Sequence, residues 1–212
     1  MKKIDLAFLV TGSVMTIIFL FIVNMLTSVE HIWFMYPAVV MLVFPLGLYC
    51  YKQKKQTLFA IITSTLLLIL LIIENIRSTP TYPWVSYTVI PLVYWPILVF
   101  LGAKAKTLRV AVVGSGVAIL YYFLLNVIVS PHTPWVIFPA FAVLWWPLSV
   151  YHVRRSTYFT FSLHASLLLC LFFIMVNIIY SPGTIWAIYP IFAILWWPLS
   201  LYFFVYKRNT ES

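Results

Sequence analysis

The chain has 212 residues, of which 64% are apolar and only 8% are charged, and its formal net charge is +9. A soluble domain carries about 25% charged residues, so this composition cannot build a water-facing surface. A basic chain can indicate nucleic-acid binding, but here the lysines and arginines lie in short clusters between apolar runs of bilayer-spanning length. The composition therefore excludes a soluble or nucleic-acid-binding protein and predicts an integral membrane protein.

The apolar runs follow one another in pairs along the chain. The first helix of each pair is predicted at 5–28, 57–77, 107–129 and 158–180, and the second at 32–52, 83–103, 134–153 and 185–207. Short polar turns, with proline in the last three pairs, join the two helices. The run after Met1 is too long for a signal peptide and lacks a cleavage site, so we interpret it as a retained first helix.

Four residue types recur at intervals of 51 residues along the chain. The recurring positions are Asn24, Asn75, Asn126 and Asn177; Trp33, Trp84, Trp135 and Trp186; Pro45, Pro96, Pro147 and Pro198; and Ser13, Ser64, Ser115 and Ser166. This phasing predicts tandem duplication of a two-helix hairpin, with repeats at 1–54, 55–105, 106–156 and 157–212. Repeats with two helices each cross the membrane in the same sense. A fourfold ring and a pair of two-copy halves both satisfy that condition.

Lysine and arginine lie almost entirely on one side of the predicted helices. The residues beside the termini and the links between repeats are Lys2, Lys3, Lys52, Lys54, Lys55, Lys104, Lys106, Arg109, Arg154, Arg155, Lys207 and Arg208, whereas Arg77 alone lies beside a turn within a repeat. Because basic residues are retained on the cytoplasmic side, we predict that both termini are cytoplasmic. The predicted fold class is an all-α integral membrane protein with eight transmembrane helices, formed by four parallel repeats within one membrane domain.

An asparagine closes the first helix of every repeat, near the predicted outer surface. A side-chain amide in hydrocarbon is costly unless it is hydrogen-bonded, and the serine eleven residues earlier shares its helix face. This polar seam has two interpretations. Serine and asparagine can hold membrane helices close together, or the four seams can line a polar pathway or pocket.

The second helix of each repeat carries a tryptophan at its outer end and a proline deeper in the membrane. The outer tryptophans are interpreted as interfacial anchors. The deeper prolines release the carbonyls four residues earlier, which belong to Met41, Leu92, Val143 and Ile194. Either the prolines bend the helices so that they pack, or the carbonyls and the faces of Trp95, Trp146 and Trp197 form a midplane site for a cation or an amphiphile.

Few ionisable residues lie within the predicted helices. Glu74 can pair with Arg77 three residues later, which leaves both a structural ion pair and a proton- or cation-binding carboxylate open. His164 is interpreted as a buried, packed residue rather than a proton relay. His152, which lies close to Arg154, is expected at the level of the lipid headgroups.

The sequence lacks the motifs of the common enzyme classes. It contains no glycine-rich phosphate loop, HExxH motif, paired catalytic carboxylates or Ser/His/Asp pattern. Cys50 and Cys170 are far apart and are interpreted as small apolar residues. We therefore predict that the chain is not an enzyme and has no catalytic residues, metal site or cofactor.

The order Val23-Asn24, a short turn, Trp33-Phe34, Pro37 and an aromatic-rich second helix resembles the bacterial two-transmembrane (2TM) domain family. The resemblance covers the whole chain as four fused copies and implies a bacterial plasma membrane. Members of that family occur as small membrane modules, some of them attached to histidine kinases or LytTR-type regulators. This chain differs in carrying Trp-Trp-Pro-Leu at 145–148, where the family has a Gly-Trp-Gly-like stretch, and in showing no signalling domain.

The leading functional hypothesis is an intramembrane binding or transport site for a cation or an amphiphile, formed between the repeats. The residues assigned to it are Asn24, Asn75, Asn126, Asn177, Glu74, Trp95, Trp146 and Trp197. The alternative is a non-transporting sensor, immunity or assembly module that binds a lipid, a peptide or the helices of a partner. The expected partners are membrane lipids and, in the second case, another membrane protein or a second copy of the chain.

Overall fold

A computed structural model describes residues 6–207, apart from the side chains of residues 205 and 206. Its α-helices are α1 (Leu6–Thr27), α2 (Met35–Lys52), α3 (Gln56–Ser78), α4 (Val89–Leu101), α5 (Leu108–Val129), α6 (Ile137–Val153), α7 (Tyr158–Tyr180) and α8 (Ile188–Leu201). Helical turns at Trp84–Thr88 and Gly102–Lys106 flank α4, and a π-helical turn at Tyr202–Tyr206 follows α8. The described residues contain no strand, so the all-α prediction is confirmed. Lys2, Lys3 and Arg208, three of the basic residues predicted on the cytoplasmic side, lie outside the described residues.

Six helical segments are long and apolar enough to cross a membrane. They are α1, α2, α3, α5, α7 and the combined segment Trp84–Lys106. The other two, Ile137–Val153 and Ile188–Phe204, are apolar but shorter. A helix of 17 residues spans about 25 Å, somewhat less than the ~30 Å hydrocarbon core of a bilayer. By length and composition these helices are compatible with an integral membrane protein.

The second helix of each hairpin begins later than the sequence predicted. The helices α2, α6 and α8 start at residues 35, 137 and 188 instead of 32, 134 and 185, and α4 starts at residue 89 instead of 83. The intervening residues form tight turns, closed for example by the amide of Trp135 bonding the carbonyl of Thr133 at 2.8 Å. Consequently the four outer tryptophans precede the regular α-helices instead of opening them.

A proline occupies the third position of each second helix. These residues are Pro37, Pro91, Pro139 and Pro190. The first four amides of an α-helix have no partner within the helix, so a proline there sacrifices no hydrogen bond. The later prolines lie inside the helices, and the helices continue through them.

The chain divides into two compact units, residues 1–102 with α1 to α4 and residues 103–212 with α5 to α8. Within each unit the helices pack mainly against their neighbours in sequence. The buried positions are occupied mostly by small residues, among them Ala60, Ala111, Ala118 and Ala165, while large apolar side chains are exposed along all eight helices. Small residues at the contacts and bulky apolar residues outside are the pattern of helices that pack closely in lipid.

Candidate functional site

Each of the four asparagines bonds to the turn of its own hairpin, as Asn126 illustrates. Its amide nitrogen donates to the carbonyls of Ser130 at 2.7 Å and Thr133 at 2.8 Å. Its side-chain oxygen accepts from the amide of Val136 at 3.0 Å. Both amide hydrogens are therefore engaged. The side chain closes the turn by pairing three backbone groups that have no helical partner.

The same three bonds occur in the other hairpins, at four, seven and ten residues beyond the asparagine. Asn24 bonds Ser28, His31 and Phe34; Asn75 bonds Thr79, Tyr82 and Val85; Asn177 bonds Ser181, Thr184 and Ala187. All four asparagines are buried, with at most 7% of the residue exposed. The geometry gives them a structural role, and their assignment to a ligand site stays a prediction.

The serines of the polar seam differ between hairpins. In the third hairpin, Ser115 donates to the carbonyl of Val143 at 2.8 Å, the carbonyl that Pro147 cannot pair because proline has no amide hydrogen. In the second and fourth hairpins, the hydroxyl oxygens of Ser64 and Ser166 are buried and have no hydrogen-bond partner among the described residues. In the third hairpin the serine of the seam therefore bonds to the facing helix, whereas in the second and fourth hairpins it has an unpaired hydroxyl.

A cavity of about 370 Å³ lies between α3 and α4, next to one of these unpaired hydroxyls. Ser64 lines it from α3, and Leu92 and Pro96 line it from α4. The remaining lining consists of aliphatic side chains, Phe100 and two threonines, without a charged residue. The wall of the cavity is therefore mainly apolar, with the buried hydroxyl of Ser64 as an exception. Leu92, whose carbonyl Pro96 cannot pair, also lines it.

The three deeper tryptophans each pack within their own hairpin. Trp95 lies edge-on to Phe59 with ring centres 5.8 Å apart, and Trp197 lies edge-on to Phe161 at 5.9 Å. Trp146 covers Gly114, where an added Cβ would lie 2.5 Å from its ring. None of the three lines the α3–α4 cavity, so their assignment to a ligand site also stays a prediction.

Glu74 belongs to a small polar cluster at the end of α3. Its carboxylate lies 3.9 Å from the guanidinium of Arg77 and interacts electrostatically with the hydroxyl of Tyr36 on α2. Arg77 also donates to the carbonyl of Glu30 at 3.5 Å. The cluster therefore connects the end of α3 with the turn and second helix of the first hairpin.

Two histidines meet where α6 is linked to α7. The Nε2 atom of His152 lies 2.9 Å from Nδ1 of His164, and its Nδ1 atom lies 2.7 Å from the Thr157 hydroxyl. Contrary to expectation, His164 is exposed, and it is His152 that is buried, with 3% of the residue exposed. Both line a groove of about 350 Å³ that also includes Tyr151 and Leu148. The sequence contained one signal for this contact, since both residues lie near a short link between consecutive helices.

Among the residues that the structure describes, no group of three or more His, Cys, Asp or Glu side chains could hold a metal ion. Cys50 and Cys170 are not joined in a disulfide.

Comparison of the chain with family models, curated proteins and solved structures gave no match. The resemblance to the 2TM family therefore stays a prediction.

Proposed function

We propose that this chain is a multi-pass membrane protein that binds a neutral amphiphile within the bilayer, in the cavity between α3 and α4. The observation that carries the proposal is the buried, unpaired hydroxyl of Ser64 in the wall of that cavity. A buried hydroxyl without a partner costs about 1–3 kcal/mol. A ligand that supplies a hydrogen-bonding group would recover part of that free energy.

The size and the lining of the cavity support a lipid-like ligand. Its volume of about 370 Å³ falls within the range of small-molecule sites, about 300–1,000 Å³. Its wall is mainly aliphatic around a few hydroxyl-bearing residues. A molecule with a hydrocarbon chain and one hydroxyl or carbonyl group matches that distribution, because the chain contacts the aliphatic side chains while the polar group reaches Ser64.

An amphiphile fits the lining better than a cation does. A desolvated cation needs carboxylates, several oxygen ligands or aromatic faces. No carboxylate lines the cavity, and Trp95 packs against Phe59. The charge-free lining therefore favours a neutral polar group over either cation or anion.

The contrast between Ser64 and Ser115 supplies a matched test. We expect a long-chain alcohol that carries a photoreactive diazirine to label the segments 57–68 and 92–100 of the protein in nanodiscs, as mapped by mass spectrometry. The Ser64→Ala variant should lower the apparent affinity about fivefold, the effect of one hydrogen bond of ~1 kcal/mol. The Leu68→Trp variant should abolish labelling because the indole fills the cavity.

The control is Ser115→Ala, which removes a hydroxyl already bonded to Val143 in the other unit and should leave labelling of α3 and α4 unchanged. Label distributed evenly over the lipid-facing side chains of all helices, or equal affinities for Ser64→Ala and Ser115→Ala, would contradict the proposal. Transport requires, in addition to binding, that the ligand can leave the cavity toward either side of the membrane. Movement of the same alcohol between liposome leaflets tests that step separately.

A second candidate is a non-transporting assembly module. It is favoured by the limited packing inside each unit, where helices contact mainly their sequence neighbours and leave large apolar residues exposed along every helix. Such surfaces can accept the helices of a partner or of a second copy as well as lipid. Counting the copies per nanodisc at increasing protein-to-lipid ratio distinguishes the two, since an assembly module associates and a monomeric lipid-binding protein does not.

The proposed setting is the bacterial plasma membrane, with both termini and the links between repeats in the cytoplasm. The asymmetric distribution of basic residues supports this orientation, and the likeness of the Asn–turn–Trp pattern to the 2TM family supports a bacterial plasma membrane. Alkaline phosphatase, which is active only outside the cytoplasm, should be active when fused after Thr81 or His132 and inactive after Lys54 or Ser156. The reverse pattern would overturn the orientation.

A further inference from the structure

The contact between His152 and His164 is specific to one junction between hairpins. The equivalent positions of the first unit, 102 residues earlier, hold Cys50 and Ile62. The backbone is similar in both places, because the amide of Lys55 bonds the carbonyl of Cys50 at 2.8 Å and that of Thr157 bonds His152 at 3.4 Å. The chain therefore forms the same kind of junction with a histidine pair in one place and without it, at Cys50 and Ile62, in the other.

The distances around His152 define which protonation states fit. A ring-to-ring hydrogen bond needs one hydrogen between the two nitrogens, so one ring donates and the other accepts. With both rings neutral, Nε2 of His152 can donate to His164 while Nδ1 accepts from the Thr157 hydroxyl. One added proton is accommodated when His152 donates from both nitrogens and the hydroxyl turns to accept. A second added proton places hydrogens on both facing nitrogens and breaks the bond.

The charged groups near the pair are cationic. Tyr151 contacts His152 edge-on, with ring centres 4.9 Å apart, and the guanidinium of Arg155 lies 4.2 Å from the centre of the Tyr151 ring. From α7, Phe161 packs on His152, and behind it lies Trp197 of α8.

On the side of α5 the groove is closed by Leu108, which precedes the exposed Arg109, and Arg154 beyond α6 is exposed as well. The sequence between Glu74 and Glu211 contains no acidic residue, so this stretch offers no carboxylate to balance a histidine cation. A positive charge at the pair is opposed by its neighbours.

We propose that His152 and His164 form a proton-binding site that holds one shared proton between the rings, and that a second proton separates α6 from α7 at this junction. His164 faces the groove and gives a proton access to the pair, whereas His152 is buried and fixes the geometry. Histidine ordinarily takes up a proton near pH ~6.5. The site therefore makes the packing of the third and fourth hairpins sensitive to acidification.

The direct test is nuclear magnetic resonance on histidine-labelled protein in nanodiscs. At neutral pH the facing ring nitrogens should show scalar coupling across their hydrogen bond, and this coupling should disappear on acidification. No coupling at neutral pH, or coupling that persists when both rings are protonated, would overturn the proposal. His31 and His132, in the turns of other hairpins, provide internal references that should show no such coupling.

Stability provides a second readout. Between pH 7 and pH 5, the unfolding equilibrium of the wild type should shift at least about tenfold toward the unfolded chain, because the folded chain takes up the second proton only by breaking the contact between the rings, whereas the unfolded chain takes it up freely. The double variant His152→Cys/His164→Ile reproduces the Cys50–Ile62 junction and should lose that shift. Should the double variant not fold, His164→Ile alone removes the hydrogen bond. An equal pH dependence in variant and wild type would refute the site.

Discussion

Replacing Asn126 by leucine is expected to lower the free energy of unfolding by about 2–4 kcal/mol, because three hydrogen bonds are lost at once. The amide of Val136 loses its described partner, and the carbonyls of Ser130 and Thr133 keep only their bonds from amides of the turn. Leucine fills a similar volume but cannot bond the carbonyls of Ser130 and Thr133 or the amide of Val136. The three bonds form around a buried side chain, since only 5% of Asn126 is exposed. The loss should therefore exceed that of an ordinary polar deletion.

Unfolding by SDS in bicelles, followed by circular dichroism, measures this effect. His132→Ala is the matched control, since that side chain is exposed in the same turn and its removal should change stability by no more than about 0.5 kcal/mol. Asn126→Asp should also destabilise, because the carboxylate retains the bond from Val136 but faces two carbonyls. If the leucine and His132→Ala variants are equally stable, the asparagine does not close the turn.

Substitution of Gly114 by alanine is the second change with a large expected effect. The new Cβ would lie 2.5 Å from the six-membered ring of Trp146, a separation that a real Cβ cannot adopt without displacing the ring. Overpacking of this kind costs about 1–3 kcal/mol. We expect a lower free energy of unfolding and a changed tryptophan fluorescence, since the displaced indole of Trp146 no longer packs against Gly114 on α5.

The neighbouring glycine provides the control for this prediction. A Cβ at Gly116 meets nothing within 4 Å, so Gly116→Ala should be neutral or slightly stabilising, since alanine favours the helix by about 1 kcal/mol over glycine. Combining Gly114→Ala with Trp146→Leu should cost less than the sum of the single changes, because the smaller side chain makes room for the methyl group. If the losses of unfolding free energy are additive instead, the destabilisation by Gly114→Ala does not come from a clash with Trp146.

The helical hairpins could be predicted because they depend on properties that the sequence displays directly. Apolar runs of bilayer length predict the helices, and the short polar segments between them predict the turns. The starts of the second helices could not be placed as well, since Trp33 and Trp135 are as apolar as the helices that follow. Their turn conformation accompanies bonds that the side-chain oxygens of Asn24 and Asn126 accept from amides ten residues later, which the pattern of neighbouring residues does not contain.

The candidate sites were less predictable, since they depend on how each helix is rotated against its neighbour. Ser64 and Ser115 are equivalent in sequence, yet only Ser115 reaches a carbonyl across its hairpin. His152 and His164 are twelve residues apart across a short link, which brings them near each other but does not indicate that one ring is buried and the other exposed. A tertiary contact of this kind becomes visible only when two helices are placed side by side.

Each asparagine closes its own turn with groups no more than ten residues away. A hairpin can therefore enter the bilayer with these groups of its turn already paired, before the rest of the chain has been synthesised. Insertion two helices at a time requires no help from distant segments. A copy can also be gained or lost without breaking the asparagine bonds that close the turns of the other copies. This self-sufficiency provides a physical route by which a two-helix unit could multiply within one chain.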